Sequence, residues 1–300
     1  MLGKHLRTIL PLFFAVSLVA GACGDDEGDT GAPSETGTTG TTTGGGENAC
    51  ATATQGDLLS RICEEGVIRV STDPAYPPQS ELSEDGEFVG FDIDVATEIA
   101  TRLGVEVEWE TPEWTAITSG GWSDRWDMSV GSMTVTAERD EVLQFSPAYY
   151  YTPASVAVHA DNTSIQDTET DLDGATIGVC GECTYDAWLQ GNLNIPGYTF
   201  TYVVDDPQVE TYNTDTTAIR DLTLGDGIRL DAVISALPTL EGAVDSGEPI
   251  KVVGDPVFYE PLSIAFDRSA PLDNTSLVSA VNAIVEDMHA DGTLTELSME

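Results

Sequence analysis

Strand-like and helical segments alternate along most of the chain, and this alternation limits the possible folds more than any other feature. Short runs rich in apolar and β-branched residues predict strands at residues 67–70, 105–109, 175–179 and 231–234. Apolar side chains at helical spacing predict helices over residues 92–103 and 278–288. We expect Asp92 to cap the start of the first helix and Gly104 its end. Such alternation predicts an α/β fold, with mostly parallel sheets and flanking helices.

The charge of the chain narrows the range of its partners. The 52 acidic residues outnumber the 11 basic ones, which gives a formal net charge of −41. This surface repels the phosphates of nucleic acids, so we expect no nucleic-acid partner. With 41% hydrophobic residues in 300, the chain can bury a sizeable core, in one large domain or in two lobes.

The N-terminus has the pattern of an export signal. Near its start lie three basic residues, Lys4, His5 and Arg7. The apolar run that follows, residues 9–20, is too short to cross a bilayer as a helix. Small residues then precede Cys23, in the manner of a lipobox. We therefore expect residues 1–22 to be a lipoprotein signal peptide; the alternative is ordinary cleavage that leaves Cys23 as a free thiol.

Lipidation of Cys23 would anchor the exported protein to the outer face of the cytoplasmic membrane, in the periplasm or at the cell surface. Residues 23–49 are rich in Gly, Thr and acidic residues and have no apolar periodicity. This composition predicts a disordered tether between the anchor and the folded part. The membrane is thus an expected partner through the lipid anchor alone.

Four cysteines remain besides Cys23. An even number in an exported chain predicts two disulfides, most simply Cys50–Cys63 and Cys180–Cys183. A four-cysteine zinc site and a redox Cys-x-x-Cys pair are the alternatives. We expect neither a metal site nor a cofactor.

Several segments, in order, resemble one protein family over residues 60–300. They are GVIRVSTDPAYPP at 66–78, GEFVGFDIDVA at 86–96, MTVTAER at 133–139, FSPAY at 145–149, DLDGATIGV at 171–179 and DGT at 291–293. The chain resembles the polar amino-acid-binding components of bacterial ABC importers, which are the extracellular solute-binding proteins of family 3.

The resemblance implies a two-lobed periplasmic-binding-protein type II fold with two hinge strands. Lobe 1 would comprise residues 50–155 and 256–300, and lobe 2 residues 156–255. The lobes would close over a small amino-acid-like or carboxylate-bearing solute, which the protein, expected to be a monomer, would deliver to the permease subunits of an ABC transporter.

The resemblance also implies the ligand-binding residues. These are Asp73, Tyr76, Trp114, Gly131, Ser132, Thr134, Arg139, Cys183 and Thr184. Arg139 would hold the ligand carboxylate, because a planar guanidinium can donate two parallel hydrogen bonds to it. Some of these residues also have structural interpretations: a surface ion pair of Arg139 with Glu138 or Asp140, a turn cap at Asp73, a core position for Trp114 and a polar strand end at 131–134.

One departure from the family concerns the ligand's ammonium group. The family commonly places an aspartate where this chain has Ala236. A buried ammonium without a carboxylate is costly, so either another acid replaces it or the ligand lacks that group. Asp73, Glu182 and Glu260 are the candidate replacements.

We expect a binding protein and not an enzyme. The alternative is an enzyme on the same fold, a dehydratase of a small carboxylic acid, which would need a general acid such as Glu182 or Glu260. The three histidines form no cluster along the sequence, and no Ser/His/Asp set or phosphate-binding loop is evident.

Overall fold

The computed structural model describes residues 49–299. The expected signal peptide, Cys23 and nearly all of the expected tether therefore lie outside the described residues. Within the described range, no helix is both long enough and apolar enough to cross a membrane.

Strands and helices alternate as the sequence predicts. In the described range the strands are β1 (Val67–Ser71), β2 (Ala75–Tyr76), β3 (Ser80–Leu82), β4 (Phe88–Val89), β5 (Glu106–Glu110), β6 (Met128–Thr134), β7 (Leu143–Phe145), β8 (Tyr150–His159), β9 (Thr176–Cys180), β10 (Gln208–Tyr212), β11 (Ala232–Ala236) and β12 (Ile250–Asp267). The α-helices are α1 (Leu58–Glu65), α2 (Phe91–Leu103), α3 (Trp114–Thr118), α4 (Ala137–Val142), α5 (Thr184–Leu189), α6 (Asp215–Leu222), α7 (Leu237–Asp245), α8 (Thr275–Asp291) and α9 (Thr293–Leu297), and a 3₁₀ turn covers Ala49–Thr52.

The two longest strands, β8 and β12, join the two lobes. The main sheet runs in the order β10-β9-β11-β8-β12-β6-β1-β5. On one side, β6, β1 and β5 pair in parallel and belong to lobe 1; on the other, β10, β9 and β11 pair in parallel and belong to lobe 2. Only the pairs that involve β8 or β12 are antiparallel in this sheet. The predicted two-lobed α/β fold with two hinge strands is confirmed.

Helix α2 shows how the sequence pattern forms the core of lobe 1. The apolar face predicted for it is buried in full, namely Val95, Ala96, Ile99, Ala100 and Leu103. Each large aliphatic side chain so buried contributes about 1.5–3 kcal/mol. Gly104 ends the helix in the left-handed conformation, as predicted.

The predicted N-cap of α2 is wrong. Gly90, not Asp92, precedes the helix, and a Cβ there would lie 2.5 Å from the carbonyl oxygen of Gln79. Asp92 lies within the first turn and is fully buried. Its carboxylate accepts hydrogen bonds from Ser132 and Tyr149, which compensate for the loss of water. The carboxylate therefore belongs to an interior network that reaches the functional site.

Both expected disulfides are present. Cys50 is joined to Cys63, which ties the 3₁₀ turn to α1, and Cys180 is joined to Cys183 between β9 and α5. The first pair lies against the core of lobe 1 and the second against that of lobe 2. The alternative of one four-cysteine zinc site is wrong, since the pairs lie in different lobes and are oxidised.

Candidate functional site in the cleft between the lobes

A cavity opens between the lobes where β1, β6 and β12 meet α5 and α6. Its open space, mouth included, is about 490 Å³. The cavity is lined by Asp73, Tyr76, Trp114, Gly131, Ser132, Thr134, Arg139, Cys180, Cys183, Thr184, Tyr185, Asn213, Thr214, Asp215 and Glu260. Every residue that the sequence predicts for ligand binding lies in this lining.

Arg139 places a buried cation at the wall of the cavity. It lies in the short helix α4, whose N-cap Thr136 accepts a hydrogen bond from the Arg139 backbone N–H. Its Nη1 donates to the carbonyl oxygen of Thr134 at 3.0 Å, and its Nη2 donates across the cleft to that of Glu182 at 2.9 Å. The residue is only 7% exposed.

Arg139 forms no ion pair with any residue in the range 49–299. The alternative of a surface ion pair is wrong, since Asp140 pairs with Arg268 instead. Burial lowers the pKa of Arg139 to about 10, so the guanidinium is still charged at neutral pH. The carboxylates of Glu260, Glu138 and Glu182 attract the guanidinium without forming an ion pair with it, and the cavity beside it is open to an anionic group.

Trp114 extends this cationic corner. Its ring centroid lies 5.0 Å from Cζ of Arg139, within the range of a cation–π contact. The tryptophan begins α3 and is half-buried; it packs against a buried hydrophobic cluster and also lines the cavity, so its core and cavity interpretations are compatible. Its ring lies where it can bound a ligand on one side.

Glu260 connects the two lobes through hydroxyl groups. This hinge residue, 2% exposed, accepts hydrogen bonds at Oε2 from Thr134 of lobe 1 and Thr184 of lobe 2, each at 2.6 Å. Burial raises its pKa. Because each threonine hydroxyl has a single hydrogen, neither can also donate to a ligand carboxylate in this arrangement.

Ser132 is held at the wall by the buried network of Asp92. Its backbone has a φ of 52°, a conformation that is costly outside glycine. Its N–H donates to the hydroxyl of Tyr149 at 3.0 Å, and its Oγ donates to Asp92 at 2.8 Å. The Tyr149 hydroxyl in turn donates to Asp92, whose pKa burial raises to about 7. This network offsets the backbone strain, and it leaves Ser132 Oγ only as an acceptor toward the cavity.

Asp73 serves as a turn cap and also lines the cavity. Its Oδ1 accepts the backbone N–H of Ala75 at 2.8 Å, in the turn that follows β1. Burial raises the pKa of Asp73, and the nearby charge of Glu113 adds to the increase. The capping and cavity-lining interpretations of Asp73 are therefore compatible.

Asp215 is a feature of the cavity that the sequence does not reveal. It begins α6 and is 7% exposed, and its Oδ1 has no hydrogen-bond partner within the described chain. Burial raises its pKa to about 7, and the charges of Asp73 and Glu260 add to the increase. The Ser235 hydroxyl lies close enough to offset part of this increase in pKa, but within residues 49–299 neither its Oγ nor Asp215 Oδ1 has a partner in hydrogen-bond geometry. An acid at a helix start usually indicates a cap, so no sequence signal shows that this one faces the cleft.

The Cys180–Cys183 disulfide forms part of the floor on the lobe 2 side. Both sulfur atoms and one carboxylate oxygen of Asp215 lie within 4.8 Å of one another. Glu182, inside this turn, has a φ of 61°, an exposed side chain and a carbonyl oxygen that accepts from Arg139. The candidate role of the Glu182 carboxylate is wrong, since that side chain is not in the lining. Ala236 is fully buried and also lies outside the lining.

Comparison with known proteins gives consistent matches over the folded part. The sequence model of the bacterial extracellular solute-binding proteins, family 3, matches residues 68–300. The L-cystine-binding protein TcyJ of Escherichia coli (strain K12) is 29% identical over 242 residues, which are 80% of this chain and 84% of that protein. The L-arginine-binding protein of Pseudomonas aeruginosa is 28% identical, over 78% of this chain and 87% of that one.

Comparison with solved structures gives a result that agrees with the sequence comparison. A mutant of ArgBP from T. maritima superimposes with a TM-score of 0.68 at 26% identity. The match covers 80% of this chain and 96% of that one.

Proposed function

This chain belongs to the bacterial extracellular solute-binding proteins of family 3, and we propose that it captures a small amino-acid-like or carboxylate-bearing solute for an ABC importer. Its macromolecular partners are the permease subunits that receive the solute. The observation that carries the proposal is Arg139, a buried cation without an ion-pair partner among residues 49–299, at the wall of the interlobe cavity. The relatives named for cystine and arginine binding support a solute of the amino-acid class.

In this proposal Arg139 holds the carboxylate of the solute. Two of its N–H groups donate hydrogen bonds to the carbonyls of Thr134 and Glu182. The remaining N–H groups can donate two parallel hydrogen bonds to a carboxylate. Water exclusion strengthens such bonds, and the burial of Arg139 supports that condition. Trp114 covers the ligand, and Asp73 and Tyr76 line its side-chain end.

The two lobes close on the solute by rotation about β8 and β12. Contacts already cross the cleft, from Ala137 N–H to the Asn194 carbonyl at 2.9 Å and from the Thr216 hydroxyl to the Ala75 carbonyl at 2.7 Å. A solute that touches both lobes binds the closed form better than the open one and so shifts the population toward it. We place the lobe boundaries at 50–155 with 256–300, and at 156–255, so that the chain changes lobe within the hinge pair.

We propose further that the protein works at the membrane surface as a monomeric lipoprotein. Signal cleavage after residue 22 exposes Cys23 for lipidation, and residues 23–49 serve as the tether. A flexible chain of this composition spans about 25–30 Å, which keeps the lobes within reach of a permease on the outer face of the cytoplasmic membrane.

We propose binding without turnover. A dehydratase needs a general acid aimed at a leaving hydroxyl. Glu260 already accepts two threonine hydroxyls, and the side chain of Glu182 is exposed outside the cavity. Incubation with candidate hydroxy acids and detection of product by mass spectrometry would reveal an enzyme.

A thermal-shift screen tests the proposal. Purified mature protein is heated alone and with each standard L-amino acid, L-ornithine, L-cystine and a set of small carboxylates. A solute at about 100 times its dissociation constant adds about 2.7 kcal/mol to the free energy of unfolding, a readable shift. No shift with any compound of the panel would contradict the proposed function.

A further inference from the structure

Asp215 carries an oxygen atom that the folded chain leaves without a partner. Of the carboxylate groups in residues 49–299, Asp215 alone has a fully buried oxygen, Oδ1, that accepts no hydrogen bond. Leaving a buried acceptor unsatisfied is costly and uncommon in folded proteins, so such an atom needs an explanation. Since Asp215 lines the cavity, a hydrogen-bond donor on a bound solute would be the missing partner of Oδ1.

The other acids of the cavity are already engaged. Asp73 accepts the N–H of Ala75, and Glu260 accepts two threonine hydroxyls at the hinge. Ala236, where the family commonly has an acid, offers no polar side chain and lies outside the lining. Asp215 is thus the acid best placed to receive a cationic group.

Asp215 and Arg139 both lie next to the turn that the Cys180–Cys183 disulfide closes. One carboxylate oxygen of Asp215 lies within 4.8 Å of the Cys180 and Cys183 sulfurs, and Arg139 donates to the carbonyl of Glu182, between those cysteines. An α-amino acid carries its carboxylate and its ammonium on one carbon atom, so a protein must hold these groups at neighbouring points. A cation in α4 and an acid in α6 that both lie next to one short turn can meet that requirement.

We propose that Asp215 holds the α-ammonium of the bound solute, in place of an acid at position 236. The inference rests on the proposed function and deepens it: the solute is a zwitterionic α-amino acid, not a plain carboxylate. The ammonium donates to Oδ1 of Asp215 while the carboxylate accepts from Arg139. The binding site thus uses an acid at the start of α6 instead of one at the end of β11.

The test compares two solutes as well as two proteins. The tightest-binding L-amino acid of the screening panel and its analogue with hydrogen in place of the α-amino group are titrated calorimetrically into wild type, Asp215→Asn and Asp221→Asn. The last is the matched control, because Asp221 lies on the same helix and pairs with Arg229 and Tyr212 outside the cavity.

Wild type and Asp221→Asn should bind the amino acid at least about 30-fold more tightly than the analogue, and Asp215→Asn should bind the two about equally. The empty Asp215→Asn protein should melt no lower than wild type above about pH 7, since a buried unpartnered carboxylate has been removed. If Asp215→Asn fails to fold, the comparison of the two solutes in wild type still tests the inference. Equal binding of the amino acid and its analogue by wild type overturns it.

Undiminished preference for the amino acid in folded Asp215→Asn would also overturn it, and would leave the proposed function intact. Wild type that binds only a plain carboxylate of the panel would remove this inference and leave the proposed function, whereas wild type that binds no compound of the panel would remove both.

Discussion

Replacement of Arg139 tests the ligand's carboxylate contact directly. In Arg139→Ala, the solute carboxylate would enter a closed cleft without its cation, while the 7% exposure of Arg139 indicates that little water would reach that point. Truncation of one partner of a buried charge pair costs about 2–5 kcal/mol, which corresponds to roughly 30- to 5,000-fold weaker binding. Arg139→Lys should recover only part of this, because an ammonium cannot form the planar two-bond fork.

Calorimetric titration with the tightest-binding amino acid of the panel measures the effect. Arg268→Ala is the control: this arginine is 41% exposed in its side chain and pairs with Asp140, next to Arg139, so its loss should change binding by less than about 1 kcal/mol. Circular dichroism should show that all three variants fold, since the Arg139 side chain faces the cleft. Wild-type affinity in folded Arg139→Ala would refute the reasoning.

Three other predictions concern the anchor, the disulfides and a buried acid. Cys23→Ser should move the protein from the membrane fraction to the medium or periplasm; unchanged membrane association would contradict lipidation. Serine replacement of both cysteines at 180 and 183 should weaken ligand binding but change the free energy of unfolding little, because the loop that this disulfide closes is very short. Serine replacement of the pair at 50 and 63, separated by 13 residues, should do the reverse and lower the free energy of unfolding by about 3 kcal/mol. The same response from both pairs in melting and titration would refute this. The pKa of Asp92 rises on folding from 3.8 to about 7, so the folded state binds the proton more tightly. The free energy of unfolding should therefore fall as pH rises from about 4 to about 7. Urea unfolding of Asp92→Asn should show a shallower fall with pH, and a fall as steep as that of wild type would contradict the assignment.

Local patterns sufficed for the α/β class, whereas the two lobes and much of the cavity came from the family resemblance. The apolar face of α2 and the β-branched run of β1 are set by short-range periodicity, which is visible in the sequence. The cavity residues around Arg139 are those that the family resemblance implies, and the structure places them at the end of β6 and in α4. The helix and strand patterns depend on neighbours within a few residues.

The errors concern side-chain direction, which long-range packing decides. An aspartate near a helix start looks the same whether it caps the helix or turns inward; Asp92 turns inward because Tyr149 and Ser132 lie there to donate to it. Asp215 faces the cleft, and the Glu182 side chain faces solvent, because of how α6 and the disulfide turn sit in lobe 2. Sequence spacing carries no information about either orientation.

A crystal structure of the mature protein with the tightest-binding amino acid of the panel tests the central claim most directly. The account predicts the amino acid enclosed between the lobes, with its carboxylate hydrogen-bonded to the Arg139 guanidinium and its ammonium to Asp215. An amino acid bound outside the cleft, or one within it whose carboxylate lies away from Arg139, would contradict the account.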